Sequence, residues 1–222
     1  TLLVELRLNG DNLFVSGVRA LQFDPKAGVG NFPNDGIEGL AISRTNVLYL
    51  GLEKDSEGKA RIFEVRLNET TFDSHSEFLR TRDAELNLPE FEQGAHPING
   101  MDIFYPSNDS DGYLIAAARN DNQLWVIHSS KRQPTAIVPL SFLSHNAHES
   151  CVASYVMDNA SLEGVAVDGN TLYLINDPWT RNYLKNVTCE QEREKYERMS
   201  PLLFSLPIKA EWFFDEKAIL DD

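Results

Sequence analysis

The sequence predicts an all-β fold, a β-propeller of four-stranded antiparallel blades. A six-residue motif occurs three times, and each copy precedes further strand-like segments in the same order. Its second residues, Glu38, Asn99 and Glu163, lie 61 and 64 residues apart. That spacing is in or slightly above the range of one propeller blade with its loops. The copies of this repeated motif read Ile-Glu-Gly-Leu-Ala-Ile (37–42), Ile-Asn-Gly-Met-Asp-Ile (98–103) and Leu-Glu-Gly-Val-Ala-Val (162–167).

Three candidate strands follow each copy of the repeated motif. They are short runs rich in Val, Ile, Leu, Tyr and Phe, and turn residues bound them. The second strands are predicted at 46–52, 112–118 and 171–175, the third at 60–67, 123–128 and 202–206, and the fourth at 71–79, 135–140 and 211–214. Four-stranded sheets repeated around an axis describe a propeller. A β-sandwich with coincidental glycine turns is the alternative, but a sandwich does not require such a period.

The predicted blades cover residues 36–90, 91–145 and 160–215, all within a single domain of residues 1–222. Residues 1–30 supply two strands, at 2–8 and 13–23, to a preceding blade. A propeller usually closes with four to eight blades, so about three and a half blades would form only part of a six-bladed ring. We expect the missing blades to come from another chain, from an absent N-terminal segment or from a symmetry partner.

Composition excludes several classes of protein. The chain has 222 residues, is 42% hydrophobic and has a formal net charge of −14. A chain of this length can bury about 70% of its unfolded surface, which is typical of a globular domain. Nucleic acid is not an expected partner, because phosphate binding needs basic patches. No apolar run approaches the roughly 20 residues of a membrane helix. The negative charge is compatible with a protein that works among cations such as Ca²⁺.

Cysteines and glycosylation sequons indicate an exported protein. Cys151 and Cys189 are the only cysteines, and both lie outside the predicted strands. They form either a disulfide or two free thiols. Asn-x-Ser/Thr sequons begin at four positions in loops or at strand ends, where glycans are tolerated. These residues are Asn68, Asn108, Asn159 and Asn186. We therefore predict a secreted or periplasmic location.

An insertion at residues 180–200 is the one segment where a helix is expected. Residues 189–199 are rich in helix formers, and Glu194 and Arg198 are spaced i,i+4. Pro201 then ends the helix. The helix either covers part of a pocket on the propeller rim or is a solvated decoration.

The repeated motif supplies the first candidate metal ligands. At the start of an innermost strand, the residue before the glycine points toward the central channel, where equivalent positions converge. Glu38, Asn99 and Glu163 would then form part of a ring of oxygen donors, which Ca²⁺ prefers in sets of six to eight. Unpaired buried carboxylates are costly, so a cation is expected between them. The alternative is a structural role in which these side chains tie blade to blade by hydrogen bonds.

A second set of polar residues follows the second strand of each unit. Asn176 and Asp177 end that strand in the third unit, and Glu53 and residues 119–121 stand at the matching places in the other two. We predict Asn176 and Asp177 as further metal ligands, because Trp179 and Tyr183 nearby could line an apolar pocket. The alternative is an ordinary turn, since Asn-Asp-Pro is a strong turn signal.

Candidate catalytic residues are fewer. His145 and His148 stand close to Glu149, but the spacing is not His-Glu-x-x-His and the segment is a predicted loop. Either histidine, or Asp177, is a candidate general base. The sequence contains no Gly-x-Ser-x-Gly elbow, phosphate loop or dinucleotide fingerprint.

The pattern Glu-Gly-[Leu/Val]-Ala-[Ile/Val], followed by Leu-Tyr-Leu and an acidic residue, resembles propellers named for an esterase-like activity of phytase and a related uncharacterised exported group. More distantly, it is similar to the paraoxonase, gluconolactonase and strictosidine synthase-like propellers. The resemblance implies a six-bladed ring, and in the distant relatives a central Ca²⁺ that polarises an ester, lactone or phosphoester. By motif position, the implied ligands are Glu38, Asn99, Glu163 and Asp177. This chain departs from the metal-dependent relatives because it has no histidine pair in register.

Two functions therefore remain open at the level of sequence. The first is an exported hydrolase of esterase or phosphoesterase type, in which a central Ca²⁺ acts as a Lewis acid. The second is a non-catalytic propeller that binds a protein, a glycan or a small-molecule ligand. The fold cannot decide between them, because propellers host both.

Overall fold

A computed structural model describes residues 1–29, 36–73, 77–91, 98–108, 110–129 and 133–213. The chain divides into two compact units, Thr1–Glu85 and Leu86–Asp222. Both units consist mainly of antiparallel sheets, so the prediction of an all-β protein is confirmed. Among the described residues, no helix is long and apolar enough to cross a membrane.

The first unit contains two sheets. A three-stranded sheet has the order β1-β2-β6, in which β1 and β2 form an antiparallel hairpin and β6 runs parallel to β2. A four-stranded antiparallel sheet has the order β3-β4-β5-β7. Leu21 of β2 belongs to the same buried cluster as Leu48, Leu50 and Phe63, so the two sheets share one core. The strands are β1 (Leu2–Asn9), β2 (Asn12–Gln22), β3 (Ile37–Ile42), β4 (Val47–Leu52), β5 (Arg61–Arg66), β6 (Phe78–Arg80) and β7 (Arg82–Asp83).

The second unit contains two larger sheets and a hairpin. The sheets have the orders β8-β9-β10-β11 and β14-β15-β16, and β12 pairs with β13. Two short helices, α1 (Thr180–Tyr183) and α2 (Arg193–Glu197), lie in the long insertion before the last strand. The strands are β8 (Gly100–Phe104), β9 (Tyr113–Ala118), β10 (Gln123–His128), β11 (Ala136–Pro139), β12 (Leu143–His145), β13 (Ser154–Val156), β14 (Leu162–Asp168), β15 (Thr171–Asn176) and β16 (Leu203–Pro207).

The first three strands of each predicted blade are present in the predicted order, but two of the predicted fourth strands are wrong. Of the predicted strand at 71–79, residues 71–73 form a turn and Phe78–Arg80 pair with β2 in the other sheet, so the fourth strand of the first blade is instead Arg82–Asp83. An ion pair between Arg61 and Asp83 fixes this short strand on β5. In the third blade Ala210–Trp212 form a 3-10 turn, because Trp212 and Phe213 are buried in the core. Residue 214 lies outside the described residues.

The predicted helix at 189–199 is confirmed as a 3-10 turn, Glu190–Glu192, that continues into α2. The β12–β13 hairpin has no predicted counterpart, because its three-residue strands are too short to show a period. Closure of the sheets into a ring remains a prediction.

Asp55 organises the turn between β4 and β5. Its Oδ1 accepts hydrogen bonds from the backbone N–H groups of Glu57 and Lys59, both at 2.8 Å. Its Oδ2 pairs with Arg61 Nε at 2.5 Å, and Arg61 also reaches Asp83 at 2.9 Å. Burial raises the pKa of Asp55, but these hydrogen bonds outweigh it, so the pKa of this carboxyl lies below its ordinary value.

We expect Asp55→Asn to lower the free energy of unfolding by about 1–3 kcal/mol at pH 7, because it weakens a buried charge-assisted network. A depressed folded-state pKa gives stability that is fully present above the unfolded pKa and is lost as the pH falls through the folded pKa. The difference between variant and wild type should therefore shrink below about pH 4. Urea unfolding across pH measures it, with the exposed Glu57→Gln as the control. A difference that persists unchanged in acid would contradict this role.

Candidate functional site

The repeated motif forms the same local structure in the first and third repeats. In the first, Ile37 pairs with Leu52 and Gly39 with Gly51, which leaves Glu38 as an extra residue in a β-bulge. The third has the same irregularity, with Leu162 opposite Asn176 and Gly164 opposite Ile175, so Glu163 is the extra residue. A β-bulge changes the direction of its side chain and is frequent next to functional sites.

A backbone hydrogen bond also recurs at these bulges. The backbone N–H of Glu53 donates to the carbonyl of Gly36 at 3.2 Å, and the backbone N–H of Asp177 donates to the carbonyl of Ser161 at 2.9 Å. The strand register therefore makes Glu53 and Asp177 equivalent. Arg119 occupies the same place in the second repeat, where its backbone N–H donates to Asn99 Oδ1 at 3.2 Å. The matching position in the second repeat thus holds a cation rather than an acid or amide.

Arg119 forms an ion pair with Glu163, which connects the second and third repeats. Both side chains are 24% exposed, so the pair is only partly solvated. Asn99 lies beside this ion pair, because its Oδ1 accepts a hydrogen bond from the Arg119 backbone N–H. The structure therefore brings two of the predicted metal ligands to one residue that was not predicted, Arg119: Asn99 contacts its backbone N–H and Glu163 its guanidinium.

The strands β8 and β14 approach each other closely at this cluster. A Cβ on Gly100 would lie 2.5 Å from the carbonyl oxygen of Glu163 and 2.9 Å from Gly164 Cα, so only glycine fits there. Two residues further on, Asp102 Oδ2 accepts a hydrogen bond from the Val167 N–H at 2.7 Å. These contacts tie one sheet to the next through a backbone approach and a carboxylate.

Asn176 and Asp177 occupy different environments. Asn176 is buried, and its Nδ2 donates to the carbonyl of Ala160 at 3.0 Å and to the hydroxyl of Tyr183 at 2.9 Å. Its Oδ1 accepts from the Leu202 N–H at 2.6 Å. Burial raises the pKa of Tyr183, which lies in the hydrophobic core. Asp177 is exposed. The amide of Asn176 is therefore already committed to the fold through both of its polar atoms.

The two candidate histidines lie in the β12–β13 hairpin. His145 ends β12 and is exposed, and its carbonyl accepts a hydrogen bond from Lys195 Nζ at 2.5 Å. His148 is also exposed, and its Nδ1 lies 2.8 Å from Ser150 Oγ. These contacts join both residues to the hairpin and to the insertion.

The insertion is fastened to this hairpin. A disulfide joins Cys151 to Cys189, so of the two alternatives left open by the sequence the structure has the disulfide and not two free thiols. Glu192 Oε1 accepts hydrogen bonds from the N–H groups of Ala147 and His148 at 2.9 and 2.7 Å. The hydroxyl of Tyr196 lies 2.8 Å from Ser144 Oγ, and burial raises its pKa. The insertion is thus part of the folded core and not a solvated decoration.

The four sequons differ in accessibility. Asn159 and Asn186 are buried, and Asn186 Nδ2 donates to the carbonyl of Asn159 at 2.9 Å. Asn68 and Asn108 are exposed, and Asn68 Oδ1 accepts a hydrogen bond from the N–H of Thr70, the sequon threonine, at 3.1 Å. Two of the four sites can therefore hold a glycan in the folded protein, and two cannot.

When the chain is secreted from a host that performs N-glycosylation, we expect glycans on Asn68 and Asn108 in the folded product. Asn159 and Asn186 should be unmodified, because a glycan at either would disrupt buried hydrogen bonds. Mass spectrometry of glycopeptides measures occupancy, and Asn68→Gln and Asn108→Gln are the matched controls. Glycan on Asn159 or Asn186 of folded protein would contradict the burial of these two side chains.

Over the described ranges, no group of three or more His, Cys, Asp or Glu side chains is close enough to hold a metal ion. Glu38 belongs to the first unit and is exposed on its bulge. The chain matches no protein-family model, no curated protein and no solved structure.

Proposed function

We propose that this chain is part of a β-propeller that acts outside the cytoplasm by binding, without catalysis. Three features support the propeller. The three repeats share the order of their strands, the first and third share a bulge and a backbone hydrogen bond, and the inner strands β8 and β14 are in contact. The disulfide and the two accessible sequons support export.

The ion pair between Arg119 and Glu163 is the observation that favours binding over hydrolysis. A calcium ion on Glu163 would have to replace this guanidinium. Asn99 and Asn176 also use their amide oxygens as acceptors for backbone N–H groups. These contacts support a structural role: Asn99 and Asn176 stabilise their own repeats, and Glu163 connects the third repeat to the second.

An apolar face on the first sheet supports an assembly with further blades. Alternate residues of the β1–β2 hairpin place seven exposed aliphatic side chains on one face. Contiguous patches of this kind usually mark interaction sites. We infer that the sheet of a further blade covers this face. The residues are Leu2, Val4, Leu6, Leu8, Leu13, Val15 and Val18.

A calcium-dependent hydrolase is the second candidate function. The bulges at Glu38 and Glu163 favour it, because bulges are frequent beside active sites. The resemblance to esterase-like and lactonase propellers supports the same candidate. In this case Asn99, Glu163 and Asp177 of the second unit would contribute ligands to the ion, and Ca²⁺ would polarise the substrate oxygen.

Glu163→Gln discriminates between the two functions. If the protein acts by binding, wild type and variant should both fail to hydrolyse aryl esters, lactones and phosphoesters, and calcium should change neither melting temperature. Loss of the partly exposed ion pair should lower stability by at most about 1 kcal/mol. Glu190→Gln, in a surface ion pair, is the matched control. A calcium-dependent rise in the wild-type melting temperature and turnover that are both lost in Glu163→Gln would contradict the binding proposal.

A further inference from the structure

One face of the sheet β14-β15-β16 is exposed, and it is apolar apart from Asp168, Thr171 and Ser205. Gly164, Ala166, Tyr173, Ile175 and Leu203 lie on this side, which we call the open face. Ile175 is 45% exposed and Leu203 is 68% exposed. On the opposite side, Leu172 and Leu174 are buried in the core of the second unit. The sheet therefore has one covered face and one bare face.

The strand register identifies the counterpart of the open face within the same unit. Gly164 pairs with Ile175 as Gly100 pairs with Ala117, so the two glycines occupy equivalent positions. The open face thus corresponds to the face of β8 and β9 that contains Gly100 and Ala117.

That counterpart is covered by the next inner strand, β14. Gly100 lies against the backbone of Glu163 and Gly164, and the Val167 N–H donates to Asp102. Val165 and Val167 pack on the core cluster that includes Ile115 and Ala117. A face with a glycine at the Gly100 position can therefore pack against an inner strand that has aliphatic residues at the Val165 and Val167 positions.

Strand β3 of the same chain also has aliphatic residues at these two positions, and their side chains are exposed. Leu40 and Ile42 occupy the positions equivalent to Val165 and Val167, counted from the motif glycine. They are 55% and 52% exposed. Their neighbours on the same face, Leu48 and Leu50 of β4, are buried by the sheet β1-β2-β6. The chain therefore contains an open acceptor face and a matching donor strand.

We propose that β3 of a second copy of this chain docks on the open face and repeats the junction between β8 and β14. This proposal depends on the proposed propeller repeats and names the partner that extends them. The contact is heterologous, since donor and acceptor are different surfaces, so it forms a ring or an open chain of copies. The net charge of −14 opposes association, and added salt should strengthen it by screening.

Sedimentation equilibrium on the full chain tests the junction. We expect the wild type to exceed the monomer mass of 25.0 kDa, with association that increases with salt. Ile175→Asp damages the acceptor and Ile42→Asp the donor, and each should weaken association by about 100-fold or more, because a charge is buried without a partner. Leu143→Asp, an exposed leucine on β12, is the matched control and should associate like wild type.

Mixing the two damaged variants provides the sharper test. The intact β3 of Ile175→Asp can dock on the intact open face of Ile42→Asp, so the mixture should form a 1:1 heterodimer although neither variant associates alone. This result also shows that both variants are folded. Leu203→Asp replaces Ile175→Asp if the latter does not fold by circular dichroism.

Three results would overturn the proposal: a monomeric wild type at high salt, unimpaired association of Ile42→Asp, or a mixture that stays monomeric. These outcomes are separable from failure of the binding function. Calcium-dependent hydrolysis by an associated chain would overturn only the binding function, whereas a monomeric, inactive and calcium-insensitive chain would overturn only the junction.

Discussion

Asn176→Asp should lower the free energy of unfolding by about 3 kcal/mol at pH 7. The substitution keeps the shape of the side chain but replaces its amide donor with an oxygen. That oxygen would face the carbonyl of Ala160 at the 3.0 Å now spanned by a hydrogen bond. Unsatisfied buried polar groups cost about 1–3 kcal/mol each, and a buried charge costs more.

The pH dependence identifies the cause of this loss. Burial raises the pKa of a carboxyl group, so an aspartate at position 176 should be protonated in the folded state at a higher pH than in the unfolded state. Its destabilising effect is largest above the folded-state pKa and should decrease as the pH falls and the proton restores a donor. Thermal unfolding from pH 4 to pH 8 measures the effect.

The exposed Asn170→Asp is the matched control, and it should be close to wild type at every pH. A calcium ligand would behave differently, because aspartate binds Ca²⁺ at least as well as asparagine does. If Asn176→Asp were as stable as wild type and more strongly stabilised by calcium, the structural role of Asn176 would be wrong.

Removing the disulfide is the second change with a large expected effect. Cys151 and Cys189 are 38 residues apart. Loop-closure entropy for a loop of this length predicts a stabilisation of about 4 kcal/mol in the folded protein. Loss of the bond should first loosen the insertion, whose remaining attachments to the hairpin include the hydrogen bonds of Glu192 and Tyr196.

Guanidinium unfolding of the wild type with and without dithiothreitol measures this effect, and the double variant Cys151→Ser/Cys189→Ser should unfold like the reduced wild type. The double variant is also the control for the reductant, which should not change its midpoint. Two titratable thiols in the unreduced, denatured wild type, with no effect of reductant on stability, would disprove the bond.

Sequence patterns predicted the order of the strands because each repeat combines a glycine motif with apolar runs of strand length. The third strand of the second repeat, Gln123–His128, begins and ends where it was predicted. The fourth strand of the first blade was misplaced because Arg82–Asp83 is only two residues long and has no periodicity. An ion pair with Arg61 fixes it, and such contacts between distant residues leave no local signal.

The candidate site was predicted only in part. Asn99 and Glu163 do lie in one cluster, but Arg119 between them was not expected. Arg119 and Glu163 are 44 residues apart in the chain. Sequence comparison placed residues 119–121 together at the position of Glu53 and Asp177, and it did not identify which of the three is the equivalent residue. Strand register, which depends on the bulges, was needed to show the equivalence.

Anomalous scattering from crystals grown in calcium distinguishes a repeated motif that ties one repeat to the next from one that holds a metal ion. We expect the electron density beside the Glu163 carboxylate to belong to the Arg119 guanidinium, without an anomalous peak. A peak at the Ca²⁺–oxygen distance of about 2.3–2.6 Å from that carboxylate, with Arg119 displaced, would contradict it.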